Sequence, residues 1–130
     1  MNWPLVLKLS LFGLAMAIAT VFVIPSSLEP IFWLVIFIIC AVVIARQATG
    51  GRNFLHGLMV GIVNSVWVTG AHVFFFDTYV ANHQAEAQAM SSMPFAPRVM
   101  MAIIGPVIGV VSGVVLGFFA MIAGKVLRRR

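Results

Sequence analysis

The sequence predicts an all-α integral membrane protein, with four transmembrane helices in an antiparallel bundle that form one transmembrane domain over residues 1–130. Three observations predict it. Hydrophobic residues make up 62% of the chain and charged ones only 8%, whereas a water-facing surface usually carries about 25% charged residues, so lipid is the solvent for most of the surface. Four apolar runs are each long enough to cross a hydrocarbon layer, and proline, glycine or charge interrupts them. The charges also sort by helix end. Lys8, Arg46, Arg52, Lys125, Arg128, Arg129 and Arg130 fall at one set of ends, and Glu29, Asp77 and Glu86 fall at the other with Arg98 as the lone basic exception.

That distribution follows the positive-inside rule and predicts a multi-pass protein of the bacterial inner membrane with both termini cytoplasmic. A net charge of +5 and a pI near 10.8 are then a topology signal and not a nucleic-acid footprint. The predicted surroundings are the lipid bilayer, with anionic headgroups near Arg128 to Arg130, and the predicted partner is a second copy or another membrane protein, with no nucleic acid. Cys40, the single cysteine, sits inside an apolar run, which excludes an internal disulfide and fits a small buried residue.

The first helix is predicted over about residues 3–24. Trp3 suits the headgroup layer, and Lys8 can lay its stem along the helix while its amine reaches the interface. A cleaved leader is the competing reading, but the run from Leu9 to Ile24 is long for a signal core and Pro25-Ser26-Ser27 is a poor cleavage site. Ser10, Gly13, Ala17 and Thr20 form a narrow stripe of small residues suited to packing. Pro25 and Pro30 bracket a turn. There Ser27 is the expected N-cap, and Glu29 meets the positive end of the next helix.

The second helix, about 28–48, is bulky and β-branched from Ile31 to Ala45, which marks it as lipid-facing. Gly50-Gly51 ends it, and the third helix runs over about 53–76. On that helix Gly57, Gly61, Asn64, Ser65, Val68 and His72 share about 100° of arc. Polar groups in hydrocarbon face protein, so this face should look inward. An outer loop over 77–97 follows, with helix formers from Ala85 to Met90 predicting one short surface helix.

The last helix, about 98–127, carries Gly105, Gly109, Gly113 and Gly117 at intervals of four, a glycine ladder on one face. Where lipid surrounds helices, small residues allow the close backbone approach that holds them together, so the last helix is predicted to be the one the others pack on. Its ladder, with Gly57 and Gly61 as further packing positions, faces either the third helix of the same chain or a second copy. Pro106 removes one backbone donor and predicts a kink.

Gly50-Gly51, Phe54, Gly57 and Gly61, then Phe74-Phe75-Phe76 and Tyr79, give this stretch a familiar look. With the glycine-rich last helix, it resembles a family of small bacterial four-helix inner-membrane proteins whose function is not established. The resemblance implies that fold and membrane address, and it brings no catalytic or ligand residues. The chain lacks the proline expected after the tyrosine.

Chemistry is sparse. His72, Asp77, His83 and Glu86 combine imidazole and carboxylate, ligand types that zinc accepts, and His83 and Glu86 are spaced to share one side of a helix. The spacing matches no metal motif, and a solvated polar loop without metal is the reading taken. Within the membrane, Asn64, Ser65, Thr69 and His72 mark either interhelical hydrogen bonding or a polar path in which His72 titrates. His56 and His72 stand about 24 Å apart along one helix, too far to clamp one haem within a chain. No nucleophile elbow, HExxH, P-loop or intramembrane aspartate pair occurs, so neither an enzyme nor a cofactor is predicted. The function expected is a structural or interaction component of a membrane assembly. The alternative is a small oligomeric transporter or channel using the polar face of the third helix.

Overall fold

The structure is a computed structural model describing residues 1–128. Among these residues the chain forms α1 (Trp3–Phe22), α2 (Glu29–Gln47), a 3-10 turn (Thr49–Gly51), α3 (Asn53–Phe74), α4 (Phe76–Asn82), α5 (Gln84–Ser91) and α6 (Pro97–Arg128). Helices α1, α2, α3 and α6 are long and apolar enough to cross a membrane and are packed together. The chain is therefore a multi-pass membrane protein in contact with the bilayer. Arg129 and Arg130, part of the basic set above, lie outside the described residues.

Local chemistry explains the ends of the elements. The Asn2 side chain accepts from the Leu5 N–H at 3.2 Å, and Pro4 occupies the first turn of α1, where a missing N–H costs nothing. Ser27 does not cap α2; its N-cap is Leu28, without a side-chain bond, and Glu29 opens the helix. Between α2 and α3, Gly50 and Gly51 take φ of 66° and 68°, a left-handed backbone that other residues adopt only at a cost.

At the centre lies the antiparallel pair α3 and α6, in a register that steps by one turn. A Cβ on Gly57 would lie 2.6 Å from the Gly117 Cα, and one on Gly61 would run into the Gly113 backbone. Over the next two turns, Ser65 lies against Gly109 and then Thr69 against Gly105. The glycines of α6 are thus occupied by α3 of the same chain.

The last helix is not the sole hub. Helix α1 packs chiefly on α3, and α2 packs chiefly on α6. The reason is the small-residue stripe of α1, which accepts the larger polar side chains of α3. The Trp67 Nε1–H donates to Ser10 Oγ at 3.2 Å, and the Asn64 carboxamide lies against Gly13. Helix α2 buries only Cys40, Ala41 and Ile44. Where its middle meets α6, Phe37 and Phe119 pack edge to face at 6.4 Å.

The short surface helix expected over Ala85 to Met90 is α5, and the part of the outer segment read as loop holds a second helix, α4; the two fold as a cap over the acidic end of the bundle. The cap buries Tyr79, His83 and Met90. Asn82 Nδ2–H donates to the Val21 carbonyl at 2.8 Å, tying the cap to the end of α1. On the α6 side, Arg98 lies 3.8 Å from Asp77 and 5.0 Å from the centre of the Phe76 ring.

Candidate functional site: a cleft under the cap

Between the first half of α2 and the facing halves of α3 and α6, the bundle leaves a cavity of about 650 Å³. Helix α2 contributes Glu29, Pro30, Trp33 and Phe37, while α6 contributes Met101, Ile104, Gly105, Ile108, Gly109 and Ser112. The α3 wall carries Asn64, Ser65, Thr69 and His72, and the cap closes the acidic end with Tyr79, Glu86, Ala89 and Met90. The walls are mostly apolar and the polar groups are few and convergent, the usual character of a small-molecule site.

Two of those polar groups are unpartnered. Asn64 is only 4% exposed, yet neither its Oδ1 nor its Nδ2 has a hydrogen-bond partner among the described residues, and the Thr69 hydroxyl is in the same state. Leaving a buried polar group unsatisfied costs about 1–3 kcal/mol. Both residues line the cleft, with the Asn64 carboxamide turned to Gly13 of α1 and the Thr69 hydroxyl to Gly105 of α6.

At the acidic end, His72, Tyr79 and His83 form a stacked column. The His72 and Tyr79 ring centres are 4.2 Å apart with planes at 29°, and Tyr79 and His83 are also 4.2 Å apart with planes at 7°. Each imidazole is also hydrogen-bonded. The Thr20 hydroxyl donates to the Met16 carbonyl at 2.9 Å, so it accepts from His72 Nε2–H, also at 2.9 Å. The Tyr79 carbonyl only accepts, so His83 Nδ1–H donates to it at 3.1 Å. The His83 Nε2 contact with Glu29 Oε1, 3.2 Å long, then needs one further proton between ring and carboxyl.

Two groups of this end, Tyr79 and Glu86, have shifted titrations. Burial, with Glu29 and Glu86 nearby, pushes the Tyr79 phenol up to about 12. The Ser26 hydroxyl is the main influence holding the Glu86 carboxyl below its ordinary value, so Glu86 is a carboxylate near neutral pH.

The residues singled out from sequence part ways here. Asn64, Ser65, Thr69 and His72 share the α3 wall of the cleft. Of the set His72, Asp77, His83 and Glu86, Asp77 points away, its side chain 94% exposed opposite Arg98, and a tyrosine ring separates the two histidines. Among the described residues no three such side chains converge on a common point. His83, read as part of a solvated loop, is 2% exposed because Glu29 and Tyr79 enclose it. His56 is engaged far away, accepting from the Asn2 backbone N–H at 2.9 Å and donating from Nδ1 to the Arg52 carbonyl at 2.7 Å.

Sequence reasoning missed Glu29, Trp33 and Tyr79 as site residues. One signal was present: His72, Tyr79 and His83 are spaced at i, i+7 and i+11, positions that share a helix face.

Fold and cleft define a small four-helix membrane protein whose transmembrane bundle holds a capped cleft. Comparison with protein-family models, with curated proteins and with solved structures finds no match to the chain. Of the resemblance stated above, the four-helix membrane architecture is what the structure carries.

Proposed function

We propose that the protein is a binding component of the membrane that takes a small amphiphile out of the bilayer into the cleft between α2, α3 and α6. The observation that carries this reading is the 650 Å³ cavity with the unpartnered Asn64 and Thr69 beside it. Lipid-facing α2 forms one wall, which gives a bilayer-dissolved molecule a short way in.

This reading joins the two functions expected from sequence. An interaction role in a membrane assembly remains, with a small molecule as the first thing bound. The polar face of α3 is used, but within one chain and not in a pore between copies, since the glycines of α6 that would join two copies are occupied by α3. Binding without catalysis is supported by the absence of any nucleophile motif in the sequence. The distribution of basic residues supports a bacterial inner membrane with both termini cytoplasmic, which places the cap on the outer side.

Native mass spectrometry of protein purified in mild detergent tests the reading. Wild type should release a co-purified amphiphile on activation, and Ser112→Phe, which fills the cleft from α6, should carry none while still melting cooperatively. Equal retention by both proteins, or none by either, overturns it.

A further inference from the structure

Resting on the cleft as a binding site, we propose that its ligand is a lipophilic cation: an organic amine or onium ion with an apolar body. The first ground is charge. Glu29 and Glu86 line the cleft, and among the described residues no lysine or arginine does. Arg98, the one basic residue at this end, is turned to Asp77 and Phe76 and does not line the cavity. The contact of Glu29 with His83 holds one proton between them, so that pair is neutral in sum. Glu86 then gives the site one net negative charge. A cation entering from lipid finds a counter-ion there, and an anionic headgroup meets repulsion from it.

That repulsion matters for a cleft walled by a lipid-facing helix. Without it, the acidic lipids of the surrounding membrane would compete for the apolar space. The second ground is the wall opposite α3, where Trp33 and Phe37 present aromatic rings to the cavity, and an aromatic face attracts a cation stripped of water. Asn64 lines the cavity too, but its carboxamide lies against Gly13 of α1 with its polar atoms fully buried, so Glu86 and the two rings, and not Asn64, set the class of ligand. The volume, about 650 Å³, is in the range of sites for drug-sized molecules.

Three probes of one shape separate charge from apolar fit: tetraphenylphosphonium, tetraphenylsilane and tetraphenylborate, which are cationic, neutral and anionic. Each is titrated separately against the full chain in a nonionic detergent, with the melting temperature as readout. A ligand that binds only the folded state raises that temperature saturably. Tetraphenylphosphonium should do so, the other two should not, and Ser112→Phe should abolish the rise. Glu86→Gln should weaken tetraphenylphosphonium about fivefold, as expected for losing a partly exposed charge pair, and Glu86→Asp should retain affinity. If tetraphenylsilane stabilises wild type as well as the cation does and Ser112→Phe blocks both, the cleft stands and the cationic class falls. Unchanged affinity in Glu86→Gln also overturns the class. If no probe shifts wild type, the cationic class falls, and native mass spectrometry then decides the cleft on its own.

Discussion

His83 Nε2 lies 3.2 Å from Glu29 Oε1, joining residues 54 apart and fastening the α4–α5 cap to the first turn of α2. The side chains are 1% and 23% exposed, so neither is well solvated if the other is lost. His83→Ala should therefore cost about 1–3 kcal/mol, the range for leaving a buried polar partner unmet. The loss should be local. Hydrogen exchange should speed up at amides of α4 and α5, while the α3 and α6 amides near Gly61 and Gly113 keep their protection.

The close register of α3 and α6 makes a sharp contrast between two glycines of one helix. At Gly61 a Cβ runs into the Gly113 backbone, which has no flexible end to move aside, while at Gly70 nothing lies within 4 Å. Gly61→Ala should lower stability by about 1–3 kcal/mol through overpacking. Gly70→Ala should raise it by about 0.5–1 kcal/mol, since alanine is the better helix former. Melting in detergent of the two variants beside wild type checks both signs.

The spans were legible because hydropathy is a property of a run, and runs such as Ile31 to Ala45 need no tertiary information to be read. Their ends were harder. Ile24 and Phe76 continue the apolar pattern of α1 and α3, yet the chain leaves the helix before each, at Val23 and Phe75, to turn into the next segment. The cap, apart from the one short helix over Ala85 to Met90, was read as loop for a different reason. Polar composition around Asn82 to Gln88 implies water, and only the distant Glu29 and the break at His83, with φ of −132°, bring that histidine inside. Of the cleft, the α3 wall was legible as the polar face of Asn64, Ser65, Thr69 and His72. The α2 wall was not, because Glu29, Trp33 and Phe37 reach the cavity only through the way α2 packs on α6, a relation between two helices.

Tyr79 is the only tyrosine in the chain, so its ionisation can be followed by tyrosinate absorbance. Its folded value is pushed up to about 12 from an ordinary 10.0, first by burial and then by Glu29 and Glu86. A value raised on folding means that the group's contribution to stability is fully present below pH 10.0 and is lost as pH rises toward 12. Folded protein should titrate near pH 12 and denatured protein near 10. Coincident titrations would remove the stacked, enclosed setting assigned to this ring.

Asn64 separates binding from stability. With Oδ1 and Nδ2 both unpartnered, the ligand-free protein bears the desolvation cost of a carboxamide that returns nothing. Leucine is close to asparagine in shape and needs no partner, and the carboxamide packs against Gly13, which offers it none. Asn64→Leu should thus stabilise ligand-free protein in detergent by about 1–3 kcal/mol. The same variant should release less co-purified amphiphile than wild type in native mass spectrometry. A residue that only glues helices together would move both readouts the other way: losing it would destabilise the bundle and leave occupancy of the cleft unchanged. Stability and occupancy moving in opposite directions is therefore the result expected if Asn64 serves a ligand.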